Sequence, residues 1–371
     1  MIFRNATVLD ENFHFTEKDI AVQEERFCEP QTNDEGIDCA GLTIIPGLID
    51  LHTHGCAGCD NSDGDPQGLQ KIAHYMGQNG ITSFLATTMT LPEDTLAHIM
   101  RTIRDQMEHP GKGAYIQGIY MEGPFFNPKK KGAQNGDYLR NPDVAMFRRL
   151  NQESGQNIKI VAVAPELDGG MEFIRELKDE VRISIAHTCA TYQEAVTAIE
   201  EGARQATHLY NAMPSFSHRD PSVVGAVFDS HISGEIISDG FHIHPAMVRL
   251  AFKALGGDRM ILISDSMRAT GMEDGIYSLG GLKVQVKDRK ATLEDGTIAG
   301  SSTNLMDCMK RAVSFGIPFE NAVKCASLNP AKAIGAEKDC GSIKVGKYAD
   351  FVIMDEKMEI QSVYIKGKRF V

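Results

Sequence analysis

Two histidines one residue apart, His52 and His54, close the apolar stretch Ile45-Pro-Gly-Leu-Ile-Asp-Leu-His-Thr-His-Gly55. In an extended strand alternate side chains share a face, so both imidazoles project the same way and can chelate a single ion. Gly55 then releases the chain into a loop. The pattern points to metal chemistry, provided that further ligand types stand at matching places.

Short β-rich runs able to carry such ligands stand at 44–54, 81–87, 115–122, 158–164, 182–187, 204–208, 234–239 and 260–265. Plausible helices lie between most of them. Thr90-Leu-Pro-Glu93 and Thr191-Tyr-Gln-Glu194 both carry the capping-box pattern, the first ahead of an amphipathic stretch ending at Pro110-Gly111, the second ahead of one ending at Gly202. Pro245 sits where a first-turn proline belongs. Strand and helix alternating eight times predict an α/β chain with a (β/α)8 TIM-type barrel, a fold whose catalytic groups gather at the C-terminal ends of the strands. The polar residues closing the runs are His52 and His54, Glu122, His187, His208 and Asp265. All are metal-ligand or acid–base types, and the barrel brings them to one rim.

The barrel is expected over 47–340. Both chain ends read as strands, so 1–46 together with 341–371 should form a small β-sandwich. Composition excludes several classes: 371 residues with 42% hydrophobic content contain no apolar run of the ~18 residues that span a bilayer. The amino terminus reads as a strand rather than a signal peptide. Eight cysteines in so long a chain fit reduced thiols and a cytoplasmic location rather than a disulfide framework. A net charge of −12 argues against nucleic acid as partner. A membrane partner is not expected either.

The rim residues, with Pro-Gly-Leu-Ile-Asp-Leu-His-Thr-His, resemble the amidohydrolase superfamily. Longer motifs narrow the resemblance: Met121-Glu-Gly-Pro-Phe-Phe-Asn127 with Lys130-Lys-Gly132, Ala206-Thr-His-Leu-Tyr-Asn-Ala-Met-Pro214, Ser238-Asp-Gly-Phe-His242, Asp265 with Met267-Arg-Ala-Thr-Gly-Met272, and Asp295-Gly-Thr-Ile-Ala-Gly-Ser301. Nearly end to end the chain is similar to the N-acetylglucosamine-6-phosphate deacetylase family. That resemblance implies hydrolysis of the acetamide of N-acetylglucosamine 6-phosphate to glucosamine 6-phosphate and acetate. The galactosamine epimer is the nearest alternative. Another amidohydrolase remains open, although hydrolases of cyclic amides and N-acyl amino acids commonly carry a modified lysine on strand four, where this chain reads Ala162-Val-Ala-Pro-Glu166. A non-catalytic scaffold should have lost the ligands that this chain keeps.

Amide hydrolysis needs a strong nucleophile, a polarised carbonyl and a proton for the leaving nitrogen. Glu122, His187 and His208 make a set for one divalent ion, and His52, His54 and Glu122 can hold a second with the carboxylate bridging. Some members of the family lack the His-x-His pair and use one ion, so the pair allows two without requiring them. Zinc, iron and manganese suit these ligands alike. Asp265 is expected to take a proton from the attacking water and return it to the amine nitrogen. His242, by resemblance the substrate-contacting histidine, is expected to donate to the oxyanion, with His244 close enough to be confused with it. The backbone N–H groups of Asn211 and Ala212 and the guanidinium of Arg219 are expected to bind the phosphate, with Arg219 contributed across a homodimer or higher homo-oligomer interface in the family pattern. Ala133 aligns with a backbone contact to the sugar. Lys129-Lys-Lys131 reads as a solvated face or an added positive field, and Cys56-Ala-Gly-Cys59 as two inert thiols or a metal-reactive pair. Ser266 follows Asp265 where relatives often carry alanine, a hydroxyl that would adjust the aspartate's hydrogen bonding.

Overall fold

A strand whose side chains are apolar on both faces has to be covered on both, which a parallel barrel wrapped in helices provides. Met260–Ile263 is such a strand, buried along its whole length. In the computed structural model, which describes residues 1–30 and 36–371, eight parallel strands form the barrel. They are β1 (Leu48–Thr53), β2 (Ile81–Thr88), β3 (Tyr115–Met121), β4 (Ile158–Val163), β5 (Arg182–Ile185), β6 (Gln205–Ala206), β7 (Ser233–Ile237) and β8 (Met260–Ile263). Each pairs with its neighbour in chain order. The ring closes just beyond β8, where Thr53 bridges Ser266, Asp265 N–H donates to His52 O at 2.9 Å and His54 N–H donates to Ser266 O at 2.8 Å.

The expected helices form with one correction. Thr191 caps the helix Tyr192–Glu201 with the full reciprocal box, and Pro245 opens Pro245–Arg259 behind His244 as N-cap. The box expected at Thr90 does not form: the helix begins at Glu93 behind Pro92, without a side-chain cap. Thr90 is engaged elsewhere, its N–H donated to Gln134 Oε1 at 2.8 Å on the barrel rim.

The run 44–54 is two strands rather than one. Thr43–Pro46 pairs antiparallel with Phe351–Met354, whereas Leu48–Thr53 pairs with β2. The switch is made at Gly47, whose N–H goes to Asp350 O (2.9 Å) while that of Leu48 goes to Gly80 O (3.0 Å). A side chain there would collide with Thr82, its Cβ falling 2.3 Å from Oγ1. Strands from both chain ends make the small β domain, a sheet folded over its own core of Phe3, Phe27, Phe351 and Tyr364. Phe351 stacks on Tyr364 with centroids 4.5 Å apart, and Phe3 meets both edge-on at 5.0 Å. Residues 31–35 of its expected span lie outside the described residues. A three-stranded sheet (Gly275–Leu279, Leu282–Lys287, Lys290–Thr292) is inserted after β8, an element the sequence reading did not anticipate. Among the described residues no helix is long and apolar enough to cross a membrane.

Candidate active site

The C-terminal ends of the strands bring the six rim residues together. His52, His54, Glu122, His187, His208 and Asp265 are all at most 7% exposed. Three of them end their strands in the left-handed region, His187 at φ +43°, His208 at +27° and Asp265 at +48°. Such backbone costs about 1–3 kcal/mol per residue and persists where the surroundings over-determine it, as at functional sites.

Glu122 is the hub. Its Oε1 lies 3.4 Å from His187 Nε2, 3.2 Å from His208 Nε2 and 3.3 Å from His52 Nε2, and its Oε2 lies 3.2 Å from His54 Nε2. Asp265 Oδ1 joins the histidine pair at 3.3 Å from His54 Nε2 and 3.6 Å from His52 Nε2. The ligand atoms of Glu122, His187 and His208 lie within 4.8 Å of one another, as do those of His52, His54 and Asp265. The first set has the expected members; the second joins His52 and His54 to Asp265 where Glu122 was expected, while Glu122 faces both of those histidines from the first set.

These donors fit a divalent metal ion. Bonds of ~2.0–2.1 Å in a tetrahedral site put ligand atoms about 3.3 Å apart, and the three edges of the Glu122-His187-His208 triangle measure 3.4, 3.2 and 3.1 Å. Two imidazole nitrogens facing each other at 3.1 Å require a cation or a shared proton between them. The field asks for positive charge as well. Burial alone would lower His54, yet Asp265 and Glu122 outweigh it and push the imidazole up to about 9. Burial works against the Glu122 anion, but His52 and hydrogen bonds from the surrounding histidines hold the carboxyl well below its ordinary range.

Further partners fix the aim of these groups. His187 Nδ1 donates to Lys130 O at 2.8 Å, which turns Nε2 toward Glu122. Gln134 Nε2 donates to Glu122 Oε2 at 2.7 Å. Glu235, fully buried in β7, accepts from His52 Nδ1 at 3.1 Å and from the His208 backbone N–H at 3.3 Å. Loss of such outer partners typically weakens metal binding 10–100-fold. Glu235→Gln is therefore expected to raise the dissociation constant for a divalent ion by roughly 10–100-fold, measured by competition with a chromophoric chelator. An unchanged constant would remove Glu235 from the account.

Above this cluster opens a cavity of about 440 Å³. Ala133, Asn211, Ala212 and His242 line it as expected, with Lys129 and Lys130, which are thus partly in the site rather than wholly on a solvated face. His242 Nδ1 donates to Asp239 Oδ2 at 2.8 Å. His244 is settled as a helix cap, accepting from Ala246 N–H. Asn211 departs from expectation: its backbone N–H is donated to His208 O at 2.9 Å, and its side-chain Nδ2 donates to His208 O at 3.2 Å and Leu209 O at 3.3 Å. Arg219 is exposed in the loop beyond and does not line the cavity of its own chain. The Ser266 hydroxyl meets Thr53 Oγ1 at 2.7 Å and Gly55 O at 2.8 Å, so it fastens the barrel seam and not the Asp265 carboxylate. Cys56 and Cys59 are free, cross-strand partners in a two-strand hairpin after His54.

Sequence reasoning missed Gln134, Glu235, Met89 and the wall formed by Leu279, Thr297 and Ile298. A charged residue inside the apolar stretch Ser-Gly-Glu-Ile-Ile of 233–237 was a usable signal for Glu235. Leu279 arrives on the inserted sheet, which no periodicity distinguishes from a surface hairpin.

The Amidohydrolase family profile matches residues 43–370. N-acetylglucosamine-6-phosphate deacetylase of Bacillus subtilis is 40% identical over 335 residues, covering 88% of this chain and 84% of that protein. N-acetylgalactosamine-6-phosphate deacetylase of Escherichia coli O157:H7 is 36% identical, covering 88% and 87%. The crystal structure of N-acetylglucosamine-6-phosphate deacetylase from Pasteurella multocida superposes with a TM-score of 0.93 at 30% identity, over 99% of this chain and 98% of that one.

Proposed function

This chain belongs to the amidohydrolase family, and on that premise we propose that it hydrolyses the acetamide of N-acetyl-D-glucosamine 6-phosphate, releasing acetate and D-glucosamine 6-phosphate. The observation that carries the reading is the meeting of four imidazoles on one carboxylate, Glu122, with Asp265 joined to the His52–His54 pair and both carboxylates lining the cavity. Glu122, His187 and His208 would hold one divalent ion, and His52 and His54 with Glu122 would hold a second where two bind. A bound divalent ion polarises the amide carbonyl and acidifies the attacking water.

Asp265 takes that water's proton and delivers it to the amine nitrogen as the C–N bond breaks. Burial works against its charge, but the hydrogen bond from His54 and the charges of His52 and His54 hold its carboxyl below the ordinary range, so it is ionised and ready to accept. His242 donates to the developing oxyanion. Its Nδ1–H is committed to Asp239, so donation from Nε2 requires the imidazolium. Burial opposes that form, yet Asp239 outweighs burial and raises the pKa. The donor is therefore present below the raised pKa and lost as pH climbs through it. His242→Asn is expected to lower kcat by about 10²–10³, and Asp239→Asn to move the alkaline limb of the kcat profile to lower pH. Unaltered profiles in steady-state assays would remove His242 from this role.

The phosphate is bound by Asn211, Ala212 and Arg219, and Ala133 meets the sugar. Here the protein works as a homodimer, Arg219 completing the neighbouring protomer's cavity, which its exposure in the loop leaving the cavity supports. A phosphorylated sugar and eight free cysteines suit the cytoplasm. The galactosamine epimer is the second reading, favoured by the relative named for it.

The test is kcat/KM for N-acetylglucosamine 6-phosphate, its galactosamine epimer and unphosphorylated N-acetylglucosamine. Each lost hydrogen bond to the charged phosphate costs about 1.5–3 kcal/mol, roughly tenfold or more. Equal rates with and without phosphate would contradict the assignment, and preference for the epimer would decide for the second reading.

A further inference from the structure

A line of polar side chains runs from His52 through the barrel interior toward the N-terminal ends of the strands. Glu235 Oε2 lies 3.1 Å from His52 Nδ1, Gln205 Nε2 donates to Glu235 Oε1 at 2.5 Å, and Arg182 Nε donates to Gln205 Oε1 at 2.7 Å. Arg182 opens β5, at the end opposite His187. Its Nη2 is held by Arg204 O and Ser233 Oγ, both at 3.0 Å. The guanidinium is thus pinned to β6 and β7 at that rim.

Chemistry gives this chain a direction. A guanidinium only donates and an ionised carboxylate only accepts. Gln205 stands between one of each, so its amide has a single orientation, oxygen toward Arg182 and nitrogen toward Glu235. Glu235 can only accept, so the proton of a neutral His52 sits on Nδ1. In that neutral form its Nε2, buried and with no hydrogen-bond partner among the described residues, presents a lone pair toward Glu122 and Asp265. Burial pulls the Arg182 guanidinium down to about 10, and among the charges that oppose this the largest is Glu235.

We infer that Arg182 is a positioning residue for the metal centre: it orients Gln205, which holds Glu235, which sets the tautomer and aim of His52. The inference rests on the metal-dependent reading above and extends it to the far end of the barrel, to a residue that touches neither cavity nor ligand set.

The experiment is a zinc(II) titration in competition with a chromophoric chelator, on metal-stripped wild type, Arg182→Met, Gln205→Met and Arg182→Lys, with the thermal midpoint of each recorded. Arg182→Met and Gln205→Met are expected to weaken binding by roughly 10-fold or more, toward the 10–100-fold range of outer-shell losses. Arg182→Lys is expected to stay near wild type, since an ammonium also only donates. A purely structural role would lower the thermal midpoint and leave the zinc constant of the folded protein unchanged. That result, in either methionine variant, overturns the inference while the centre stands. Wild-type protein that takes up no zinc overturns the reading of the centre, and the inference with it.

Discussion

Asp265→Asn is expected to leave a folded protein that still binds a divalent ion at Glu122, His187 and His208, while kcat falls by about 10²–10⁴, the range for loss of a positioned general acid–base. The amide keeps the size and part of the hydrogen bonding of the carboxylate but can neither accept the water's proton nor return it to nitrogen. KM should change little, because the group acts on the proton in flight rather than on the resting sugar. Metal analysis run beside the kinetics separates this role from simple ligation. Asp265 Oδ1 stands 3.3 Å from His54 Nε2 and could contribute to the second set. Were ligation its whole function, metal content would fall in parallel with activity and excess ion would restore turnover. No such rescue is expected.

The second large effect is loss of the centre itself. All four imidazoles face Glu122, so Glu122→Gln removes the anion around which they are gathered. The weakening of metal binding should exceed the 10–100-fold of an outer partner. Turnover should fall to background and recover poorly with added ion. Stripping the wild type with a chelator should abolish activity reversibly. It should also lower the thermal midpoint, because an ion present at 100 times its dissociation constant adds about 2.7 kcal/mol to the folded state. Activity persisting in chelated protein shown to be metal-free would contradict the mechanism outright.

The rim residues were legible because the sequence encodes them twice, as ligand types and as the polar ends of apolar runs, and the barrel rule turns strand ends into one place. Thr191 and Pro245 were legible for a similar reason, since a cap is a local contract between residues three apart. Thr90 carries the same local signature, yet a rim contact with Gln134 claims its backbone, and tertiary structure wins. The run 44–54 hid its division because apolar residues continue across Gly47, and only the partner on either side reveals two sheets. Arg219 and Asn211 show the limit for binding loops. Spacing identifies the loop, but whether an N–H is free or a guanidinium faces its own cavity is decided by a turn that composition does not specify.

The central claim is that the cleft over Glu122 and Asp265 breaks an amide bond and leaves the phosphate ester intact. Its most direct test is to incubate metal-replete protein with N-acetylglucosamine 6-phosphate in ¹⁸O-labelled water and to analyse the products by mass spectrometry. The expected products are acetate carrying one label from the solvent, an equal amount of free amino-sugar phosphate, and no label in the phosphate. Labelled inorganic phosphate, or no acetate from protein shown to hold its metal, would contradict it.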